Sequence, residues 1–134
     1  MTFSNRLYEM LYVSTFAPEQ DVTAVADIAR RARVMNRAAN ITGILVFDGM
    51  RFCQQLEGTQ TQMLELEQKI RLDKRHIHME VLHHGPLAQR RFKCFTVGYS
   101  MLDDSEVLAR LETMDGQAAV DYFLALLPHV DLAP

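Results

Sequence analysis

Tryptophan is absent from the 134 residues, cysteine occurs twice, proline four times and glycine six times. Cys53 and Cys94 lie far apart and form no CxxC, which argues against a disulfide framework or a zinc site and for reduced thiols. The few prolines and glycines leave no low-complexity tract or linker, and no internal repeat is visible. No apolar run is long enough to cross a bilayer, so no membrane anchor is expected. An excess of positive charge is lacking too. With 14 Lys and Arg against 17 Asp and Glu the formal charge is −3, which gives no electrostatic reason to expect nucleic acid as a partner. The first residues, "MTFSNRLYEMLYVS", lack the basic and then apolar segments of a secretory signal, and a cytoplasmic location is the expectation. His76, His78, His83 and His84 do not form a convergent metal set, because the adjacent His83 and His84 point to opposite sides of a strand. Arg90 and Arg91 read as solvated or bonded to loop carbonyls.

What is present is an ordinary globular composition, 49% apolar and 23% charged, at a length that suits one domain with a real core. "RLYEMLYVS" reads as a first strand with apolar residues on both faces, hence central and covered on both sides. "DVTAVADIARRARVMN" places Val25, Ala29, Ala32 and Asn36 at helical spacing with Ile28 beside them and Arg30, Arg31 and Arg33 turned elsewhere. "NITGILVFDGMRFCQQLEG" gives two strands with a tight turn at Asp48-Gly49. A second helix follows, with Thr59 and Gln62 spaced as a capping box and Met63, Leu66 and Ile70 as its apolar stripe. "RHIHMEVLHHG" begins a fourth strand, closed by Pro86, and "RRFKCFTVGYS" holds a fifth.

That succession, β-α-β-β-α-β with a fifth strand, is an α+β fold of ferredoxin-like type with two helices on one face. The tail adds "DDSEVLARLETM" and "QAAVDYFLALLPHV", two short helices expected over the other face, the second through Val120, Phe123, Leu124 and Leu127. The predicted division is residues 1–101 as the principal unit and 102–134 as a helical extension packed on it.

Three polar groups sit where periodicity predicts core. In "RFCQQLEG" the alternation points Phe52, Gln54 and Leu56 inward and Arg51, Cys53, Gln55 and Glu57 to the opposite side. Asn36 ends the first helix's stripe, and Tyr12 puts a phenol on the central strand. A buried amide without partners costs about 1–3 kcal/mol, so each group must be satisfied by backbone, by water, by one another or by something bound. In the plainer reading Gln54 bonds main chain and Asn36 is a helix C-cap. In the sharper one all three face a planar hydrogen-bonding ligand between the two helices and the sheet, since both amides offer donors and an acceptor. The residues alone leave both open.

Tyr12 in "LYEMLYVS", Asn36 in "VMNRAANITGILVFDG", Gln54 in "FCQQLEG" and "LDKRH" followed by "GPLAQRRF" together resemble the BLUF family of blue-light sensors that bind FAD, over about residues 6 to 101. The resemblance implies a photoreceptor and not an enzyme. Tyr12 would donate an electron and a proton to the excited flavin, and the Gln54 hydrogen bonds would be left rearranged. It also implies FAD-binding roles for Asn36, Gln54, Ile28, Ile70, Lys69, Asp73, Arg75 and His76, with FMN or riboflavin as possible substitutes. Lys69 and Arg75 are matched to the phosphates. Many relatives carry a tryptophan and a methionine on the fifth strand as a signalling element; Phe95 and Val97 occupy those positions here.

A short member of this kind is expected to act in trans on a downstream effector protein and to form a homo-oligomer. Cys53 and Gln55 would face away from the flavin and not switch. Two other classes compete, a flavin-dependent redox enzyme and a chromophore-free ferredoxin-like binding module.

Overall fold

The computed structural model describes residues 6–21, 23–100 and 106–133. The elements follow in the order β1 (Leu7–Phe16), α1 (Thr23–Ala38), β2 (Thr42–Phe47), β3 (Arg51–Thr59), α2 (Gln60–Leu72), β4 (His76–Pro86), β5 (Phe95–Ser100), α3 (Glu106–Leu111), α4 (Gly116–Leu126) and β6 (Val130–Ala133). The strands form one sheet in the order β4-β1-β3-β2-β5-β6. Its first four positions are the ferredoxin-like arrangement, and β5 is added parallel to β2. The expected α+β fold is therefore the observed one. One element was not legible. The last strand, β6, pairs antiparallel with β5, whereas periodicity places only helix in that part of the tail.

Alternation predicts one buried face for β3, and here the structure differs. Phe52, Cys53, Leu56 and also Gln55 and Glu57 are fully buried, because β3 lies between β1 and β2 and both faces of the sheet are covered. On one face α1 and α2 lay Val25, Ile28, Ala29 and Met63 against Met10, Tyr12, Leu45, Leu56, Phe95 and Val97. On the other, Leu108 and Leu111 of α3 and Ala119, Val120 and Phe123 of α4 cover Leu11, Val13, Ile44, Val46 and Cys53. The two tail helices thus sit where expected, although the start of the first, at Asp103 to Ser105, and the boundary at 101/102 lie outside the described residues. Leu124 and Leu127 are only partly buried against that layer.

Local signals explain most of the placement. The capping box at α2 is complete: Gln62 N donates to Thr59 Oγ1 at 3.1 Å, and Thr59 N donates to Gln62 Oε1 at 2.9 Å. The hairpin closes one residue later than expected. Asp48 N donates to the Arg51 carbonyl, so Gly49 (φ 99°) and Met50 are the central pair, and Asp48 Oδ1 accepts from Met50 N and Arg51 N. Gly43 is required by contact: its φ is 140°, and a Cβ there would fall 1.9 Å from the Gln55 carbonyl oxygen, pushing β2 off β3. Asn36 is not a C-cap, since α1 continues to Ala38; the left-handed residue that follows is Asn40, φ 58°.

The apolar layer under α3 and α4 makes a quantitative expectation. Phe123 is fully buried in it, and Phe123→Ala should lower the unfolding free energy by about 3–5 kcal/mol, read from urea denaturation midpoints at unchanged slope.

Candidate functional site

Between α1, α2 and the sheet lies a cavity of about 280 Å³, just below the roughly 300–1,000 Å³ of small-molecule sites. Its floor is made by strands. Tyr12 of β1 pairs across to Gln54 of β3, and Gln54 to Leu45 of β2, so the three side chains stand in one row on the same face. One wall is α1, through Ile28, Arg31, Ala32, Met35 and Asn36, which recur at helical spacing. The other is α2, through Leu66, Lys69 and Ile70, with Asp73, Arg75 and His76 at the end where α2 gives way to β4.

Every residue expected to touch a cofactor therefore lines one cavity, together with Tyr12. Arg31 does so as well, contrary to its grouping with the outward arginines. The α1 wall is one turn wider than the apolar stripe alone, and a long arginine stem can run along an apolar wall with its charge in water. Met35 and Leu45 carry no sequence signal beyond being apolar. Ala32 and Leu66 were already on their helices' stripes. Phe95 and Val97 do not line the cavity. They are buried on its face of the sheet, with Leu45 standing between Gln54 and Val97 in register.

The floor is where chemistry is concentrated. Gln54 Nε2 donates to the Tyr12 hydroxyl, and both residues are buried. The amide oxygen of Gln54 is also buried and has no hydrogen-bond partner, a defect worth about 1–3 kcal/mol unless something else supplies a donor. A half turn of the amide would keep the phenol satisfied, because a hydroxyl can donate to Oε1 as readily as it accepts from Nε2. The pair thus has two hydrogen-bonded arrangements of nearly equal shape. Burial raises the Tyr12 pKa well above that of a free phenol, and the Gln54 hydrogen bond offsets only part of this, so Tyr12 is neutral at physiological pH.

At the far end Arg75 is held as a fork. Its Nε and Nη2 donate to Asp73 Oδ1 and Oδ2 at 3.0 and 2.9 Å, and its Nη1 donates to Asp27 Oδ2 of α1 at 3.0 Å, tying the two walls together. Burial alone would raise the Asp73 pKa, but the Arg75 hydrogen bonds and charge outweigh it and hold it below the ordinary carboxylate value. Arg75 is thereby committed to carboxylates. Arg31 and Lys69, one on each wall, are the lining cations that stand outside this fork. His76 bonds Ser14 Oγ through Nδ1 at 2.8 Å and packs on Phe52 at 4.8 Å between ring centroids.

The donors and walls suit a flat heteroaromatic guest carrying an anionic tail. The edge of such a guest would meet the Gln54 and Asn36 amides, its faces Ile28 and Ile70, and its tail Lys69 and Arg31. Among the described residues no group of three or more side chains could hold a metal ion, and no helix is long and apolar enough to cross a membrane.

Residues 7–98 match the family model "BLUF: Sensors of blue-light using FAD". The chain belongs to the BLUF family. It is 34% identical over 85 residues to photoactivated adenylate cyclase subunit alpha of Euglena gracilis, covering 63% of this chain and 8% of that protein. It is 30% identical over 86 residues to the blue light- and temperature-regulated antirepressor BluF of Escherichia coli strain K12, covering 64% of this chain and 21% of that one. The BLUF chain thus spans only a small part of these curated relatives. The dark-state structure of BlrB, a BLUF protein, superposes with a TM-score of 0.75 at 28% identity, over 90% of this chain and 94% of that one. BLUF domains are flavin-binding photosensor modules, and this chain carries that module.

His76 sets a pH expectation. Desolvation lowers its pKa below 6.5, with Asp73 opposing and Arg75 adding to the shift, so the folded state keeps it neutral where the unfolded chain protonates. The resulting stability is complete above pH 6.5 and is lost as pH falls through the lowered folded value. Urea midpoints of the wild type should therefore fall between pH 7.5 and 5.5, and those of His76→Gln should fall less.

Proposed function

We propose that this chain is a blue-light photoreceptor in which Tyr12 and Gln54 form the switching pair and FAD is held between α1 and α2. The observation that carries the reading is the buried Tyr12 to Gln54 hydrogen bond with the orphaned amide oxygen beside it, on the floor of a cavity that all the expected contacts share. When bound, FAD supplies the blue absorption and, once excited, a strong oxidant. Tyr12 is the donor. Its hydroxyl is protonated at rest, so the electron it releases is followed by the Oη proton, and the return of both leaves the Gln54 amide in its other arrangement. The surrounding network has few ways to relax, which makes that arrangement metastable.

Asn36 would bond the polar edge of the ring while Ile28 and Ile70 pack its faces. Asp73, Arg75 and His76 would fix the sugar-alcohol end, Arg75 acting mainly by clamping α1 to α2. Lys69 would meet the phosphates, and Arg31 in place of Arg75 is its partner in this reading. FMN and riboflavin would fit the same ring site. The module itself performs no enzymatic turnover in this reading; it acts in trans on an effector protein, as a homo-oligomer in the cytoplasm. A sensor coupled to separate outputs is in keeping with the names of its relatives, a photoactivated cyclase and an antirepressor.

Absorption spectra in darkness and under blue light test the core of this. The wild type should be yellow with a reversible small red shift; Gln54→Leu should keep the flavin and lose the shift, and Tyr12→Phe should abolish productive switching. A wild-type shift in either variant overturns the assignment. Flavin titrations test the mouth. Arg31→Ala and Lys69→Ala should each weaken FAD and FMN binding by about tenfold, of the order of one charge-assisted contact, and leave riboflavin affinity unchanged.

A further inference from the structure

Gln54 and Gln55 stand back to back on β3, and both strands flanking the switching pair are linked a second time on the opposite face. Gln55 Nε2 donates to Glu9 Oε1 of β1 at 2.7 Å, so Tyr12 to Gln54 on one face and Glu9 to Gln55 on the other join the same two strands. Glu9 and Gln55 are almost wholly buried, at 3% and 0% exposure. The same Glu9 oxygen accepts from Arg91 Nη1 at 2.6 Å. Glu57 of β3, also fully buried, accepts from the backbone N–H groups of Arg91 at 2.8 Å and Phe92 at 3.2 Å. Arg90 and Arg91, although partly open to water, tie the segment before β5 to the carboxylates and backbone of the central strands, Arg90 through the Glu57 carbonyl at 3.1 Å.

On the cavity face α1 reaches β5 through Arg37 Nε, which donates to the Phe95 carbonyl at 2.9 Å, but among the described residues no side-chain hydrogen bond joins Tyr12 or Gln54 to β5. Leu45 separates Gln54 from Val97, and Val97 has neither the length nor a hydrogen-bonding atom to reach past it. The chain has no tryptophan to serve instead. Gln55 is also unlike Gln54 in one respect. Reversing its amide would set Oε1 against the Glu9 carboxylate, so its orientation is held and it transmits displacement without switching.

We propose that Gln55, Glu9 and Arg91 form the route by which a change at Tyr12 and Gln54 reaches the segment before β5, through the face of the sheet that does not hold the flavin. The inference rests on the photoreceptor reading above. A change in the Tyr12 to Gln54 pair alters the local spacing and twist of β1 against β3; the Glu9 to Gln55 bond shares that spacing, and Arg91 carries the displacement to residues 90–94 because Glu9 cannot lose a partner without leaving a buried charge under-satisfied.

The test uses the FAD-loaded full chain, with absorbance difference spectra and hydrogen-exchange mass spectrometry of residues 88–98 in darkness and under blue light. Wild type should show the red shift and a light-dependent change in exchange over 88–98. Gln55→Leu should keep the red shift and lose the exchange change. Glu9→Gln, which keeps volume and an acceptor for Gln55 but weakens the Arg91 pair, should do the same and covers the case in which Gln55→Leu does not fold. Light-dependent exchange at wild-type level in these variants overturns the route, as does its loss in Val97→Ala but not in Gln55→Leu. So does loss of the red shift in Gln55→Leu, which would place Gln55 in the photochemistry. A wild type with the shift but no exchange change over 88–98 sinks the route alone, and a wild type without the shift sinks the photoreceptor reading with it.

Discussion

The structure depends on one strand having no solvent on either side. β3 is flanked by β1 and β2 and roofed by helices above and below, so every polar group it carries must find its partner inside the protein or in a guest. Its glutamines and glutamate answer that demand differently. Glu57 accepts from Thr42 and from two backbone N–H groups, while Gln54 and Gln55 each have a satisfied amide nitrogen and an orphaned oxygen, Gln55 being anchored through its nitrogen to the Glu9 carboxylate. Only Gln54 opens onto a cavity, and it is the one with two arrangements to choose between.

The two layers of the fold have different work because their polar groups differ. The face under α1 and α2 holds neutral hydrogen-bonding groups, Tyr12, Asn36 and Gln54, among aliphatic walls, which suits a ring that must be gripped without fixing its charge. The opposite face holds full charges locked in place, Glu9 and Glu57 against Arg91 and the loop before β5. At the cavity end the charge is cancelled: Arg75 is forked by Asp73 and shared with Asp27, which leaves Arg31 and Lys69 to present positive potential to an anionic tail. The clamp therefore shapes the opening while other residues set its sign.

Much of this was legible in the order of residues. The periods of α1 and α2, the Thr59 and Gln62 capping box and the β-α-β-β-α-β succession are local signals, and local signals survive folding when the tertiary structure agrees with them. The misses have physical causes. β6 is a short stretch following a helix of similar apolar character, and periodicity cannot separate a brief strand from a helix end. The second buried face of β3 is hidden in the sequence because Arg51, Gln55 and Glu57 look like a solvated side, and nothing local tells that Arg91, thirty-four positions beyond Glu57, arrives to satisfy it. Arg31 groups with its charged neighbours in the sequence because helical phase alone does not say how wide a wall a cavity has.

Sequence by itself determined which residues could not be ordinary core: a phenol, an asparagine and a glutamine on apolar stripes, with a motif order that marks the BLUF family. It did so because side-chain period and cap chemistry are properties of a few consecutive residues. Only the tertiary structure decided that Tyr12 faces Gln54, that Arg75 is consumed by carboxylates, and that Gln55 is tied to Glu9. Those are pairings between strands and helices distant in the chain, fixed by register and by packing of both sheet faces, and no local pattern encodes them.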